Sequence, residues 1–224
     1  MTFFRSRRLV FFGSFRAVYD FHVKVGVESG VTAFVLAGGK SSRMGSDKAF
    51  LRCGEETLLS QALKIAGAVA KELRIVGDAR KFAAFGQVVE DVYRERGPLG
   101  GIHAALSSTA TELNLMLAVD LPFVGAKFLE YLLLRARESG ATVTVPRAGS
   151  RLHPLCAVYR RGFAEVAELS LHDGKNRIDS LFARVATCVI EENELTREGF
   201  SVEMFRNLNT PGEYEMSRSL PLGQ

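Results

Sequence analysis

The sequence predicts one three-layer α/β/α domain with a mostly parallel sheet. Short apolar segments alternate along the chain with segments whose apolar residues recur every three or four positions. That alternation is typical of strand, helix and strand in succession, which produces a parallel sheet with helices on both faces. Two of the apolar segments, 31–37 and 113–119, contain one polar residue each, as expected for strands buried on both sides.

Length and composition allow a sizeable core and exclude a disordered chain. The protein has 224 residues, of which 47% are hydrophobic and 24% charged, enough for one domain and a small attachment. The net charge of +4 suits anionic small molecules, and after residue 30 no dense Lys/Arg run with interleaved aromatics indicates nucleic acid. The longest apolar stretches are far shorter than the ~20 residues of a membrane span, so we do not expect a membrane as partner. The charge pattern gives no reason to expect nucleic acid as a partner either.

The three cysteines are scattered along the chain. Cys53, Cys156 and Cys188 form neither a CxxC pair nor a Cys/His metal spacing. An odd number of isolated thiols is typical of a reducing cytosol, so we expect a cytoplasmic protein whose thiols are buried as small apolar groups.

Residues 1–30 differ in composition from the chain that follows them. Arginines and phenylalanines crowd this segment, but its apolar run is too short and too interrupted for a signal peptide. Three interpretations stay open: a disordered arm, an amphipathic segment that touches a membrane surface, and upstream sequence included by an early start. We favour the last, and expect a functional domain that begins between Val25 and Val31, extends over 31–218 and leaves 219–224 as a tail.

The first buried strand runs directly into a basic, glycine-rich loop. Gly38 and Gly39 follow the strand, Gly45 interrupts the loop, and it carries three cations, Lys40, Arg43 and Lys48. Bare backbone amides and cations in this position are how α/β proteins bind phosphate. The spacing fits neither the Walker loop nor the dinucleotide fingerprint, so the sequence predicts a third type of phosphate loop. A polar surface loop is the alternative.

The segments after the loop alternate as the fold class requires. Apolar residues between Glu55 and Leu73 recur at helical spacing, with two glutamates at the positive N-terminal end of that helix. Short strands are predicted at 73–77 and 87–90, and the second of them leads into Asp91.

The next helix begins with a glycine-proline pair and carries two more glycines. Pro98 behind Gly97 is typical of a helix N-terminus. Gly100 and Gly101 in the first turns cost roughly 1 kcal/mol each relative to alanine. This cost indicates either a flat ligand that lies against the backbone or close packing between helix and sheet.

Asp120 stands just beyond the most apolar segment of the middle region, 113–119. The carboxyl ends of buried strands are where open α/β sheets bind ligands. Beside a phosphate loop, we expect this carboxylate to hold Mg²⁺, which typically takes one or two carboxylates together with phosphate oxygens. Capping of the helix that starts near Gly125 is the alternative.

The rest of the chain continues the alternation. We expect helices at 127–138, 162–171 and 177–184, strands at 141–145, 154–159 and 186–190, and a short closing helix at 213–216.

Four segments in this order resemble one known family. Residues 36–49, LAGGKSSRMGSDKA, are similar to the LAGGxSxRMGxDK signature of nucleotidyltransferases that act on sugar phosphates, methylerythritol phosphate and molybdopterin. Asp91 with GPLGG at 97–101, AVDLPF at 118–123 and FRNLNTP at 205–211 narrow the resemblance to molybdenum cofactor guanylyltransferases. The resemblance spans about residues 32–215.

This resemblance implies a Rossmann-like nucleotidyltransferase fold in a single domain. It also implies a Mg²⁺-dependent reaction that transfers GMP from GTP to the phosphate of molybdopterin and releases pyrophosphate, with molybdopterin guanine dinucleotide as product. Mg²⁺ is the implied cofactor, and GTP and the molybdopterin cofactor are the implied partners. Whether a molybdoenzyme maturation chaperone receives the product stays open.

The resemblance assigns roles residue by residue. Positions that bind GTP in the family are matched by Leu36, Ala37, Gly38, Gly39, Lys48, Asp78, Asp91 and Asp120. The catalytic set is matched by Arg43, Lys48 and Asp120, with Asp120 also the Mg²⁺ ligand, and the pterin side by Asn207 and Asn209. Asp78 departs from the asparagine that is frequent in the family, and an aspartate cannot donate an amide N–H.

Two alternatives keep the same fold. A cytidylyltransferase that acts on molybdopterin or on a sugar or polyol phosphate shares the first motif, but should lack the Asn-x-Asn-Thr-Pro ending. A non-catalytic nucleotide-binding protein is the other alternative, and the presence of both Lys48 and Asp120 argues against it.

Overall fold

The computed structural model describes residues 28–38, 47–93 and 95–207. The first half of the described chain forms β1 (Glu28–Leu36), a 3₁₀ turn (Lys48–Phe50), β2 (Arg52–Cys53), β3 (Glu56–Thr57), α1 (Leu58–Val69), β4 (Ala70–Val76), α2 (Ala79–Phe82), β5 (Gln87–Val89) and α3 (Pro98–Ser107). The second half forms β6 (Leu113–Ala118), α4 (Ala126–Ser139), β7 (Val143–Ala148), β8 (Arg151–Leu152), β9 (Cys156–Arg160), α5 (Phe163–His172), α6 (Asp179–Phe182), β10 (Thr187–Ile190), α7 (Glu192–Arg197) and a second 3₁₀ turn (Val202–Phe205).

One large sheet organises the domain, with its strands in the order β10-β7-β9-β6-β1-β4-β5. β9 is antiparallel to both of its neighbours, and every other pair along this order is parallel. The short β8 pairs with β7, and β2 and β3 form a separate two-stranded ribbon. The predicted mostly parallel sheet is therefore confirmed; among its described strands, antiparallel pairing occurs around β9 and at the short β8.

Helices cover both faces of the sheet, as predicted. Alternate side chains of the central β1 enter two separate cores because successive residues of a strand point to opposite faces. The core with α1 and α4 receives Val31, Ala33 and Val35, and the core with α3 and α5 receives Phe34 and Leu36. No helix in the described ranges combines the length and the apolarity needed to cross a bilayer.

The boundary between α1 and β4 differs from the expected one. The helix was expected to continue to Leu73, but it ends at Val69 and β4 begins at Ala70 without a loop. Ala70 and Leu73 satisfy the helical spacing, yet both pair with β1 in parallel register. Sheet pairing with a buried neighbour therefore overrides the local helical pattern.

Other differences concern short or terminal segments. The β2–β3 ribbon, α2 and α7 have two to six residues per element, too few to show a periodic pattern. β1 begins at Glu28, so residues 28–30 of the expected N-terminal extension belong to this strand. The remainder of that extension, the closing helix expected at 213–216 and the tail at 219–224 lie outside the described residues.

The strand order reverses at β1. The chain passes from β1 to β4 and β5 on one side, and then returns to place β6 on the other side of β1. The ends of the two strands stand level, because Leu36 pairs with Ala118. Open α/β sheets bind ligands in the crevice at such a reversal, at the carboxyl ends of the strands. The loops after β1 and β6 are therefore the place to look for a site.

Candidate active site

The chain that leaves β1 is fixed to the end of β4. The backbone N–H groups of Ala37 and Gly38 both donate to the carbonyl oxygen of Val76, at 3.0 and 3.1 Å. Gly38 itself is exposed at the edge of the sheet. Leu36, Ala37 and Gly38 therefore lie at the carboxyl end of β1, where the predicted phosphate loop begins. Gly39 and Arg43, predicted to belong to the same loop, lie outside the described residues.

Lys48 is carried on a 3₁₀ turn that Asp47 anchors. Oδ1 of Asp47 accepts a hydrogen bond from the backbone N–H of Ala49, at 3.2 Å. Its Oδ2 lies 2.7 Å from Nζ of Lys81 on α2, and this ion pair raises the pKa of Lys81. Ala49 is fully buried. Both oxygens of Asp47 are thus occupied in holding the turn, which leaves Lys48 as the residue of the Asp-Lys pair that faces the crevice.

Asp120 meets Lys48 across the strand reversal. Oδ2 of Asp120 lies 3.7 Å from Nζ of Lys48, and the two side chains are 23% and 24% exposed. The turn after β6 is fixed to β1, because the N–H of Val119 donates to the carbonyl oxygen of Leu36 at 3.2 Å. A cation and a carboxylate from two loops distant in sequence therefore lie together at the predicted ligand site, and both remain accessible to solvent.

Asp120 is not a helix cap. The helix that follows begins at Ala126, and its N-cap position is Gly125, which has no side chain to donate or accept. The turn between them is held elsewhere, because the side-chain amide of Gln61 donates to the carbonyl oxygen of Pro122 at 2.7 Å. Capping is thus excluded for Asp120, and its role as a metal ligand stays a prediction.

Asp91 lies against the first turn of α3. Its Oδ1 accepts a hydrogen bond from the backbone N–H of Tyr93 at 2.8 Å. A Cβ atom on Gly100 would lie 2.6 Å from Oδ2 of Asp91, so only glycine leaves room for the carboxylate. Burial raises the pKa of Asp91, and the hydrogen bond from Tyr93 and the charge of His103 oppose that shift.

The two glycines of α3 therefore have different causes. A Cβ atom on Gly101 would lie 3.3 Å from Cγ1 of Val76, which is close packing between helix and sheet. Gly100 instead makes space for Asp91. The sequence offered a flat ligand or helix-to-sheet packing for both glycines; packing explains Gly101, and a carboxylate of the protein itself occupies the space over Gly100.

Asp78 is occupied at the start of α2. Its Oδ1 accepts from the backbone N–H of Arg80 at 3.0 Å, and both of its oxygens accept from the Arg80 guanidinium, at 3.0 and 2.7 Å. These bonds lower the pKa of Asp78 to about 2. The described structure thus gives Asp78 a capping position beside the crevice, with its acceptor oxygens already used.

Two ring contacts involve the last described residues of the chain, Phe205 and Arg206. The imidazole of His153 stacks on the ring of Phe205, with centroids 4.2 Å apart and planes inclined by 16°. The guanidinium of Arg206 lies 5.9 Å from the ring of Phe123, three residues after Asp120. Burial, together with the nearby Arg151, lowers the pKa of His153 and favours its neutral form.

The predicted pterin-side residues follow directly after Arg206 in the chain. Asn207 is exposed and directly follows Arg206. Asn209 lies outside the described residues. Three neighbours of the site were not assigned from the sequence: Phe123, Arg206 and Lys81. Phe123 and Arg206 lie inside the motif segments 118–123 and 205–211, whereas no sequence signal marks Lys81.

The cysteines take no part in this site. Cys53 and Cys156 are buried and Cys188 is partly exposed, and none of the three forms a disulfide bond. Burial raises the pKa of Cys156 to about 12, so it stays protonated as a small apolar group. The expectation of three buried thiols is wrong for Cys188, which lies on the edge strand β10.

Known proteins resemble this chain over most of its length. Residues 33–188 match a family model described as MobA-like NTP transferase domain. A probable molybdenum cofactor guanylyltransferase of Pelotomaculum thermopropionicum is 34% identical over 189 residues, which cover 84% of this chain and 91% of the relative. A molybdenum cofactor guanylyltransferase of Syntrophotalea carbinolica is 30% identical over 189 residues, with 84% and 90% covered.

A solved structure shares the fold. The crystal structure of molybdopterin-guanine dinucleotide biosynthesis protein A from Archaeoglobus fulgidus superposes with a TM-score of 0.74 at 24% identity, covering 84% of this chain and 97% of the other. At that identity the likeness shows the fold alone, and it confirms the α/β/α architecture predicted from the sequence.

Proposed function

The chain belongs to the MobA-like NTP transferase family, and we propose that it transfers GMP from GTP to the phosphate of molybdopterin. The relatives that it matches over more than four-fifths of its length carry the name molybdenum cofactor guanylyltransferase. One observation of the structure supports this function most strongly, the meeting of Lys48 and Asp120 at the strand reversal. A cation for the triphosphate and a carboxylate for a metal are the two groups that phosphoryl-type transfer needs at one place.

The reaction is one displacement at the α-phosphorus of GTP. A phosphate oxygen of molybdopterin forms a bond to this phosphorus, the bond to the bridging oxygen of the β-phosphate breaks, and pyrophosphate leaves with the electron pair. A phosphate monoester is already a nucleophile near neutral pH, so the mechanism requires neither a general base nor a covalent enzyme intermediate. The enzyme has to position two anions and neutralise their charge.

Lys48 and the phosphate loop supply this neutralisation. The Lys48 ammonium would contact the phosphates of GTP and offset the charge that grows on the leaving pyrophosphate. We assign Arg43 the same task, and the backbone of Leu36, Ala37, Gly38 and Gly39 the task of holding the nucleotide. Asp78 is less suited to contact the nucleotide, because Arg80 occupies both of its oxygens.

Asp120 suits a Mg²⁺ ion that arrives with the nucleotide. Its carboxylate is accessible at the sheet edge, and such ions typically take one or two carboxylates together with phosphate oxygens and water. The described residues contain no group of three or more His, Cys, Asp or Glu side chains that could hold a metal. A metal shared with the substrate phosphates fits this donor set better than a site built from protein ligands alone. When bound, Mg²⁺ would neutralise charge on the phosphate oxygens.

Asp91 is the candidate for choosing guanine. The N1–H and the N2 amine of guanine are donors, and adenine lacks donors at both of these positions. A carboxylate fixed at the edge of the crevice accepts from both. Asn207 and Asn209 would bind the pterin of the acceptor substrate, and they follow the stacked pair of His153 and Phe205. Delivery of the product to a molybdoenzyme, with or without a maturation chaperone, would follow in the cytoplasm.

The direct test is product formation. The purified chain is incubated with Mg²⁺, molybdopterin and either GTP or CTP, and the products are identified by mass. We expect molybdopterin guanine dinucleotide and pyrophosphate from GTP, no dinucleotide from CTP, and about 10²- to 10³-fold slower formation by the Asp120→Ala variant. A cytosine dinucleotide would identify a cytidylyltransferase, and the absence of any dinucleotide with competent molybdopterin would refute nucleotidyl transfer to this acceptor.

A further inference from the structure

The carboxylate of Asp91 is held in place by its contacts with Gly100 and Tyr93. Its carboxylate occupies the space over Gly100, and its position there depends on the hydrogen bond from the backbone N–H of Tyr93. Burial works against the charged form of this carboxylate. The carboxylate proposed to bind guanine is therefore kept in place by Tyr93, two residues further along the chain. The position of Tyr93 determines the direction in which its backbone N–H points.

Tyr93 is fastened to two helices by its side chain. Its ring packs edge-on against His103 of α3, with centroids 5.1 Å apart, and against His172 of α5, with centroids 5.6 Å apart. Its hydroxyl group lies 3.0 Å from Nε2 of His172 and donates to Oε1 of Glu168 at 3.4 Å. The segment after β5 is thus attached to α5, a helix that contains none of the residues matched to the family motifs.

We infer that Tyr93 is a positioning and specificity-determining residue that aims Asp91 at guanine, and that His172 and Glu168 of α5 hold Tyr93 for this purpose. The inference rests on the proposed function, because it uses Asp91 as the group that binds the base. It adds to that function a series of contacts from α5 to the base. The hydroxyl and the ring of Tyr93 contact α5, and the backbone N–H of Tyr93 holds Asp91.

The effect of losing the hydroxyl should fall on GTP and spare ATP. Without its bond to α5, the segment that carries Asp91 samples other positions, and only a fraction of the molecules present the carboxylate correctly. GTP binding weakens by that fraction. Adenine has no donors for Asp91 at the corresponding positions, so ATP binding does not depend on where the carboxylate lies.

The test compares Tyr93→Phe with a matched variant. Tyr131→Phe also removes a hydroxyl that donates to a glutamate, Glu194 at 2.7 Å, but on α4, away from Asp91. Affinities of the full chain for GTP and ATP are measured by calorimetry, with competition where ATP binds weakly. We expect Tyr93→Phe to weaken GTP binding about 3- to 10-fold, the range of one hydrogen bond, with ATP affinity and kcat unchanged. Tyr131→Phe should leave both affinities at the wild-type values.

A second pair of variants tests the contribution of α5. His172→Gln keeps a side-chain N–H near the position of Nε2, and His172→Ala removes it. We expect His172→Ala to weaken GTP binding and His172→Gln to retain much of the wild-type affinity. The double variant of Tyr93→Phe and His172→Ala should bind GTP no more weakly than the weaker of the two single variants, because both changes remove the same contact.

Each outcome decides a different statement. If wild-type protein prefers GTP and Tyr93→Phe keeps the full preference, the inference is wrong and the proposed function stands. If Tyr93→Phe weakens GTP and ATP equally, Tyr93 supports the structure in general and does not select the base. If wild-type protein binds the two nucleotides equally, Asp91 does not select the base and the inference is wrong, while the proposed function is decided separately by product formation.

Discussion

Nζ of Lys48 lies 3.7 Å from Oδ2 of Asp120, across the point where the strand order of the sheet reverses. This separation is longer than the 2.7–2.9 Å of a close charge-assisted hydrogen bond. The two charges therefore attract each other without a tight bond, and each keeps accessible area for a ligand. Because the turn of Lys48 is tied to α2 and the turn of Asp120 to β1, the protein presents opposite charges to one small space before the substrate arrives.

Removal of either charge should abolish most turnover while the fold is retained. We expect Lys48→Ala and Asp120→Ala each to lower GTP-dependent turnover about 10²- to 10³-fold, the typical loss of one group that stabilises charge in a transition state. Both residues are partly exposed, so neither deletion opens a core cavity. Turnover and the denaturant midpoint are measured on the same preparations.

Lys64→Ala is the matched control for these two variants. Its ammonium lies 3.2 Å from Oε1 of Glu56 on the open surface of α1, where an ion pair contributes little. Turnover and unfolding should both match the wild type. If Lys48→Ala or Asp120→Ala instead turns over GTP at the wild-type rate, the site has been assigned to the wrong residues.

Lys81 should support catalysis through Asp47. Its ammonium holds the carboxylate that anchors the 3₁₀ turn of Lys48, at 2.7 Å. We expect Lys81→Met to reduce kcat about 2- to 5-fold, the effect of up to about 1 kcal/mol from a partly exposed ion pair. Lys81→Arg should restore the rate. Because salt screens such pairs, the gap between wild type and Lys81→Met should narrow at high ionic strength, and a gap that is independent of salt and not restored by arginine would contradict this role.

Gly100→Ala should separate stability from function. Alanine favours a helix over glycine by roughly 1 kcal/mol, but the new Cβ atom would lie 2.6 Å from Oδ2 of Asp91. The carboxylate is the end of a side chain and moves more easily than the helix backbone. We therefore expect a free energy of unfolding within about 1 kcal/mol of the wild type and a GTP-over-ATP preference that is largely lost.

Gly67→Ala is the control for this substitution. Gly67 lies inside α1, and a Cβ atom there would meet its nearest neighbour, Cδ2 of Leu73, at an ordinary 3.7 Å. The same change should stabilise the protein by roughly 1 kcal/mol and leave nucleotide preference unchanged. Retention of full GTP preference in Gly100→Ala would mean that Asp91 does not need the space over residue 100.

The sequence predicts the parts of this site that depend on one strand and the loop after it. Alternating burial and apolar runs report on the local environment of a strand. Because the carboxyl ends of parallel strands lie at one edge of the sheet, Lys48 and Asp120 could be assigned to the same crevice. The meeting of the two loops follows from topology alone.

Pairings between side chains on different elements could not be predicted. Whether Gly100 faces a ligand, the sheet or Asp91 depends on how α3 is rotated against β4, and no local pattern reports that rotation. The same holds for Asp47 with Lys81 and for Tyr93 with His172, whose contacts cross from one loop to a helix. The early end of α1 has the same origin, since pairing with β1 decides the conformation of residues that fit either period.

The pH dependence of stability should have opposite signs at two aspartates. Burial raises the pKa of Asp91 above 3.8, so the folded protein favours the protonated carboxyl more than the unfolded chain does. Its stabilising contribution is present at acid pH and is lost as pH rises through the raised pKa, which leaves a partly buried charge at pH 7. We therefore expect Asp91→Asn, whose side-chain oxygen can still accept from Tyr93, to be more stable than the wild type at pH 7.

Asp78 supplies the contrast that makes this prediction decisive. Arg80 lowers the pKa of Asp78 to about 2, so this carboxylate stabilises the fold above pH 3.8 and loses that effect as pH falls towards 2. Asp78→Asn should thus be slightly less stable than the wild type at pH 7, while Asp91→Asn is more stable, and the Asp91→Asn difference should shrink as pH falls towards 4. Urea unfolding from pH 4 to 8 measures both. Since asparagine presents an N–H where guanine needs an acceptor, Asp91→Asn should also lose GTP-over-ATP preference. A variant that gains stability and keeps that preference would show that the carboxylate of Asp91 is not the guanine acceptor.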